Sequence, residues 1–124
     1  MTQAVLTANE RLEITVDHGE QGLLVCLHGR INIDSSPDLR DQLLALLHGQ
    51  SREPIIVDLS GVSFIDAAGI ATLLEGLKIA RNRQTKFCLR GLQGRVVHLF
   101  EVTGVLNLFD ANGCRPAPSG SKVF

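Results

Sequence analysis

The sequence predicts one α/β domain, a mixed β-sheet with helices packed on it, in the order β-β-α-β-α-β-α-β. Three observations carry this. Short apolar runs with strand character alternate with segments whose apolar residues recur at helical spacing. The alternation starts only after two consecutive strands, so a hairpin precedes the strand-helix-strand units, whose crossovers are right-handed. The 124 residues, 44% of them hydrophobic, supply one core. The domain is expected over residues 1–109. From Asp110 the chain turns to Gly, Pro, Ser and Ala, so 110–124 read as a loose tail.

Leu12, Ile14 and Val16 alternate with Glu13, Thr15 and Asp17, the period of a strand with one wet face. Glu20-Gln21-Gly22 turns the chain, and the continuous apolar run Leu23 to Leu27 suits a central strand paired with the first. Ser36-Pro37 reads as a helix start, Ser as cap and Pro in the first turn, with Leu39, Leu43, Leu46 and Leu47 as the buried stripe and Gly49 as the stop. Ile55 to Leu59 is a strand of the kind covered on both faces. A short loop then leads to Asp66, an N-cap for a helix from about Ala67 to Arg81 with Ile70, Leu73, Leu74 and Leu77 on one side. Lys86 to Leu89 reads as a strand. Leu92, Val96, Leu99 and Phe100 fit a third helix ending at Gly104, and Leu106 to Phe109 an edge strand.

The junction Asp58-Leu59-Ser60-Gly61-Val62-Ser63-Phe64-Ile65-Asp66-Ala67-Ala68-Gly69-Ile70 resembles the hallmark D-L-S-x-V-x-F-I-D-S-S-G-L of the sulfate transporter and anti-sigma factor antagonist (STAS) domain. The resemblance covers about residues 8 to 109. It implies a STAS-like fold and a non-catalytic, regulatory protein-binding role. In the antagonist branch it implies a partner that is an anti-sigma factor and a serine kinase-like ATPase, and release by phosphorylation of the second hallmark serine. Alanine stands at both serine positions here, so no phosphorylation is expected at Ala68. A phosphate would bring about −1.5 to −2 charges to the docking surface; an alanine brings none. Gly29-Arg30-Ile31-Asn32 resembles the family's G-x-L-D, with Asn32 in place of the acid and Asp34 close by. The resemblance also leaves open a subunit role in a lipid-transport or stress-signalling complex, and a small-ligand site for a nucleotide, lipid or anion.

The expected partner surface comprises Asn32, Asp34, Ser35, Ser36, Ser60, Gly61, Asp66, Ala67, Ala68, Gly69 and Thr72. Each residue also has a plain structural reading. Asp66 caps a helix, Asp58 anchors loop amides, Asn32 and Asp34 are turn formers, and Ser36 is a cap. Small residues at 67 to 69 allow close packing. Ser60, Ser63 and Thr72 remain as alternative phosphorylation sites, although turn hydrogen bonding accounts for the two serines, and Thr72 reads as a surface residue off the apolar stripe.

Composition narrows the function. Twelve basic and thirteen acidic residues give a formal net charge of −1, and there is no Trp or Tyr, so neither a cationic field nor stacking platforms favour nucleic acid. No run approaches the roughly 20 apolar residues of a membrane span, and Met1 to Ala4 lack a signal-peptide pattern, so a cytoplasmic protein with no direct membrane insertion is expected. Cys26, Cys88 and Cys114 are odd in number and far apart, and no disulfide framework is expected; Cys114 is the candidate exposed thiol. His18, His28, His48 and His98 show no metal-ligand spacing, and no nucleotide loop or nucleophile elbow is present, so neither cofactor, metal nor catalysis is expected. Oligomeric state stays open, because an exposed edge strand could pair with a second chain.

Overall fold

The computed structural model describes residues 11–49 and 53–110. Its elements are β1 (Glu13–Gly19), β2 (Gly22–Ile31), α1 (Ser36–Leu47), β3 (Ile55–Ile65), α2 (Ala67–Asn82), β4 (Phe87–Arg90), α3 (Gly94–Val102) and α4 (Val105–Asp110). The four strands lie in the order β1-β2-β3-β4. β1 and β2 form an antiparallel hairpin closed at Gly19 opposite Gly22, while β2–β3 and β3–β4 are parallel. The mixed α/β class read from the sequence therefore holds.

One face of this sheet builds the core. Leu23, Val25, Leu27 and Ile31 of β2 share it with Ile55, Val57, Leu59, Val62 and Ile65 of β3 and with Phe87 and Leu89 of β4, all buried. Onto them pack Leu39, Leu43 and Leu47 of α1 and Ile70, Leu73, Leu77 and Ala80 of α2, each set at helical spacing. Val96, Phe100, Val105 and Phe109 complete the same cluster. The other sheet face is less covered. Leu24, Cys26, Ile56 and Asp58 are half-buried and His28 is exposed, so β2 and β3 alternate instead of being sealed on both sides as their apolar runs suggested.

Three expectations need correction. Residues 105–110 form a helix, not an edge strand. Gly104, at φ 75°, ends α3, and the buried pair Val105 and Phe109 then falls at i, i+4, with the Phe109 ring 6.1 Å from Phe87 and 6.5 Å from Phe100. A four-residue apolar run cannot distinguish the two periods; the aromatic neighbours decide. β3 also runs unbroken to Ile65, with the register of β2 against it shifting between Cys26 and His28 and again between Gly29 and Arg30. The loop expected between Leu59 and Asp66 is thus irregular strand. Finally, Cys88 is disulfide-bonded and Cys26 is free; where no disulfide framework was expected, one of the two strand cysteines is in a bridge. Asp110 closes α4, and residues 111–124, where the tail and Cys114 were placed, lie outside the described residues.

Candidate functional site

The C-terminal ends of β2 and β3 stop side by side, Ile31 opposite Ile65, and each feeds a helix. Asp66 joins the two exits. Its Oδ1 accepts from the Gly69 N–H at 3.1 Å, capping α2, and its Oδ2 accepts from the Ile33 N–H at 3.2 Å. Its own N–H donates to the Ile31 carbonyl at 3.1 Å. The cap expected from the sequence is therefore half of a strap that also holds the β2–α1 loop. Gly69 sits under this strap: a Cβ there would stand 2.6 Å from Ile31 Cγ2 and 2.7 Å from Ile65 Cγ1, so only glycine lets the helix start this close to the strands.

The β2–α1 loop is fixed by its own polar groups. Asn32 Oδ1 accepts from the N–H groups of Asp34 at 2.9 Å and Ser35 at 3.0 Å. Ser35 Oγ accepts from the Asn32 N–H at 2.9 Å and donates to the Arg30 carbonyl at 2.9 Å. Ser36 is buried, and its hydroxyl donates to the Asn32 carbonyl at 2.7 Å; Ser35 occupies the N-cap position that the sequence assigned to Ser36. An Asn does this turn work as well as an Asp, without the charge.

With Asn32, Ser35 and Ser36 engaged in the loop, its outward surface falls to Asp34 and to Ile33, which is 72% exposed. Beside them Ala67 and Ala71 are exposed and Ala68 half-buried. Phe64, 36% exposed, carries the Arg30 guanidinium 4.0 Å above its ring. The corner is thus a surface tied by its own hydrogen bonds, with Ile33, Ala67 and Ala71 among its exposed apolar residues. Ile33, Phe64 and Ala71 were missed in the sequence; an isoleucine inside a segment of turn formers was the available signal.

Other expected site residues lie elsewhere. Thr72 is 8% exposed, and its hydroxyl donates to the Ala68 carbonyl at 3.0 Å; it is no surface residue, because the i−4 bond turns it onto its own helix. Ser60 and Gly61 sit inside β3, roughly 20 Å and 16 Å of extended chain before Asp66. A Cβ at Gly61 would approach His28 Nδ1 to 2.5 Å and the Leu27 carbonyl oxygen to 3.0 Å, so a larger residue there has to displace the exposed imidazole. Ser60 belongs to a second polar cluster. Its N–H donates to Asp58 Oδ1 at 2.8 Å, Arg90 Nε donates to Asp58 Oδ2 at 3.1 Å, and its carbonyl accepts from Gln93 Nε2 at 2.9 Å. Burial raises the Asp58 pKa, but the Ser60 N–H and hydroxyl together with Arg90 outweigh it and hold the carboxylate below its ordinary value. Asp58 anchors a backbone amide, as read from the sequence, but that amide lies inside β3 and not in a loop. Ser63 is exposed and donates weakly to the Gly29 carbonyl at 3.4 Å.

Across the helices, Arg40 Nε and Nη2 each meet a Glu75 oxygen at 2.9 Å, tying α1 to α2 below the corner. The Glu75 contact raises the Arg40 pKa, and the Arg40 contact lowers that of Glu75. Among the described residues no group of His, Cys, Asp or Glu has the arrangement of a metal site, and no helix is long and apolar enough to cross a membrane.

Comparison with known proteins agrees with this architecture. The chain is 28% identical over 97 residues to the anti-sigma-B factor antagonist of Listeria monocytogenes, covering 77% of this chain and 82% of that one. It is 25% identical over 99 residues to the Bacillus subtilis anti-sigma-B factor antagonist, covering 80% and 89%. The crystal structure of an anti-sigma-factor antagonist (STAS) domain protein from Planctomyces limnophilus superposes with a TM-score of 0.70 at 23% identity, over 77% of this chain and 86% of that one. A family profile described as "Mlab, STAS domain" matches residues 14–110. This chain, with its four-stranded mixed sheet and an Asp66-capped helix at the end of β3, belongs to the STAS domain family.

Proposed function

We propose that this STAS domain is a non-catalytic regulatory module that docks a protein partner through the corner formed by Ile33, Asp34, Asp66, Ala67 and Ala68. The observation that carries this is the double use of the Asp66 carboxylate, which fixes Ile33 and the first turn of α2 relative to each other. A preorganised apolar patch loses little conformational entropy on association and can serve as an anchor. Relatives named anti-sigma-B factor antagonists support an anti-sigma factor as the partner; a serine kinase-like ATPase is the type that the resemblance of the junction implies. Ala68 carries no hydroxyl, so the corner stays in its unmodified form and the usual release switch is lost.

The test uses two substitutions at one position. The chain is purified with its partner from the native cell, the partner is identified by mass spectrometry, and affinities are measured by titration calorimetry. Ala68→Glu, which places charge at the start of α2, should weaken binding at least tenfold. Ala68→Ser should bind like the parent and, with a kinase-like partner and ATP, should gain one phosphate by intact mass. Unchanged affinity in Ala68→Glu would remove the corner from the interface. Recovery of a transporter ATPase would move the assignment to a subunit role in a transport complex. A stoichiometric phosphate on Ser60 or Ser63 of the parent would refute a permanently unmodified form. Tight binding of a nucleotide or fatty acid, with no protein recovered, would replace docking by ligand binding.

A further inference from the structure

The flank of α1 turned toward β1 has a chemistry different from that of the corner. Between them lies a groove of about 480 Å3 lined by Leu12, Ile14, Asp38, Asp41, Gln42 and Ala45. Its floor is apolar and only partly covered: Leu12 and Ile14 pack against the core cluster yet stay half-buried. Its wall is acidic. Asp38 and Asp41 are exposed, and neither has an ion-pair or hydrogen-bond partner among the described residues. Arg40, between them in sequence, gives its guanidinium to a bidentate contact with Glu75; it attracts Asp41 through space but forms no ion pair with either carboxylate. A helix N-terminus favours an acid in its first turn, which accounts for Asp38 but not for Asp41 one turn later, nor for the bared floor.

We propose that this groove docks a basic amphipathic helix of a partner protein, its apolar stripe on Leu12 and Ile14 and its Lys or Arg side chains against Asp38 and Asp41. The two carboxylates stand three residues apart, about 4.5 Å along the axis, which matches cations at i and i+3 or i+4 on a helix lying alongside α1. An apolar floor beside a charged wall is the arrangement of helix-in-groove recognition. This surface is independent of the corner and does not require the corner to bind anything.

The test titrates the isotope-labelled full chain with two synthetic amphipathic helices of equal length and identical leucine stripe, one with a Lys/Arg polar face and one with a Glu polar face. The cationic peptide should shift the amides of Leu12, Ile14 and Gln42 to Ala45, and the anionic one should not. Asp38→Asn/Asp41→Asn should weaken the cationic peptide about 5- to 10-fold, the effect of losing two exposed charge pairs. Ile14→Ser, which keeps every charge, should also weaken it, while Glu20→Gln/Glu101→Gln, which removes the same charge elsewhere, should not. Equal binding of both peptides, shifts that map away from the groove, or unchanged affinity in the Asp38/Asp41 variant would overturn the proposal. Shifts at Leu12 and Ile14 that grow with protein concentration alone would assign the groove to a second copy of this chain instead.

Discussion

Replacing Asp66 by alanine removes two acceptors from two different elements, so its cost can be worked from the structure. Loss of the N-cap bond to the Gly69 N–H costs about 1 kcal/mol. Loss of the Oδ2 bond to the Ile33 N–H adds about 0.5–1 kcal/mol, at the low end of the usual range because that amide can still reach water. The sum is about 1.5–2 kcal/mol, or roughly 6–10 °C in Tm for a domain of this size. Urea unfolding followed by circular dichroism measures it, with the m-value unchanged. Asp66→Asn keeps an acceptor for the cap and should cost about a third to a half as much. A loss under 0.5 kcal/mol for Asp66→Ala, or an equal loss for Asp66→Asn, would refute the idea that the carboxylate straps the two helix entries together.

Gly69→Ala should destabilise by about 1–3 kcal/mol in the same assay, because its Cβ collides with Ile31 and Ile65. Phe109→Ala should cost about 3–5 kcal/mol, since its ring is fully buried between Phe87 and Phe100; a cost near zero would detach α4 from the core. Asp58 and Glu75 both have carboxylates held below their ordinary pKa, so the unfolded chain binds more protons than the folded one in acid. Their stabilisation is complete above about pH 4–5 and is lost as pH falls through the lower folded values, so Asp58→Asn should flatten the acid limb of a stability–pH curve between about pH 4 and 2. Ile33→Ser should leave urea stability within about 0.5 kcal/mol, because the side chain is mostly exposed, while weakening binding of the partner measured for Ala68→Glu.

Elements with a long, regular pattern were legible in the sequence. The alternation over Leu12 to Val16 and the Asp66 cap reappear as read, and of the stripe Leu39, Leu43, Leu46 and Leu47 all but the half-buried Leu46 are buried, because local spacing determines them. What failed depended on neighbours distant in sequence. Leu106 to Phe109 is helical because the rings of Phe87 and Phe100 receive Phe109 at helical spacing from Val105. Thr72 reads as a surface residue by its place beside the leucines, yet it is buried with its hydroxyl on the Ala68 carbonyl. For the corner, the resemblance pointed to the junction at Asp66, but the second bond of Asp66 spans thirty-three positions and no pattern in the chain announces it. Ser60 and Gly61 were grouped with the corner because a strand carrying irregularities resembles a loop when only its glycine and serines are visible.

The Ile33 amide is secured by a carboxylate from the far side of a seam and not by the regular ladder of a sheet. Its exchange with deuterated water therefore reports whether that seam is shut. A visitor that settles on the surface above should slow this single proton, and one that pries the two helix entries apart should quicken it, so one resonance distinguishes clamping from loosening before any complex is crystallised.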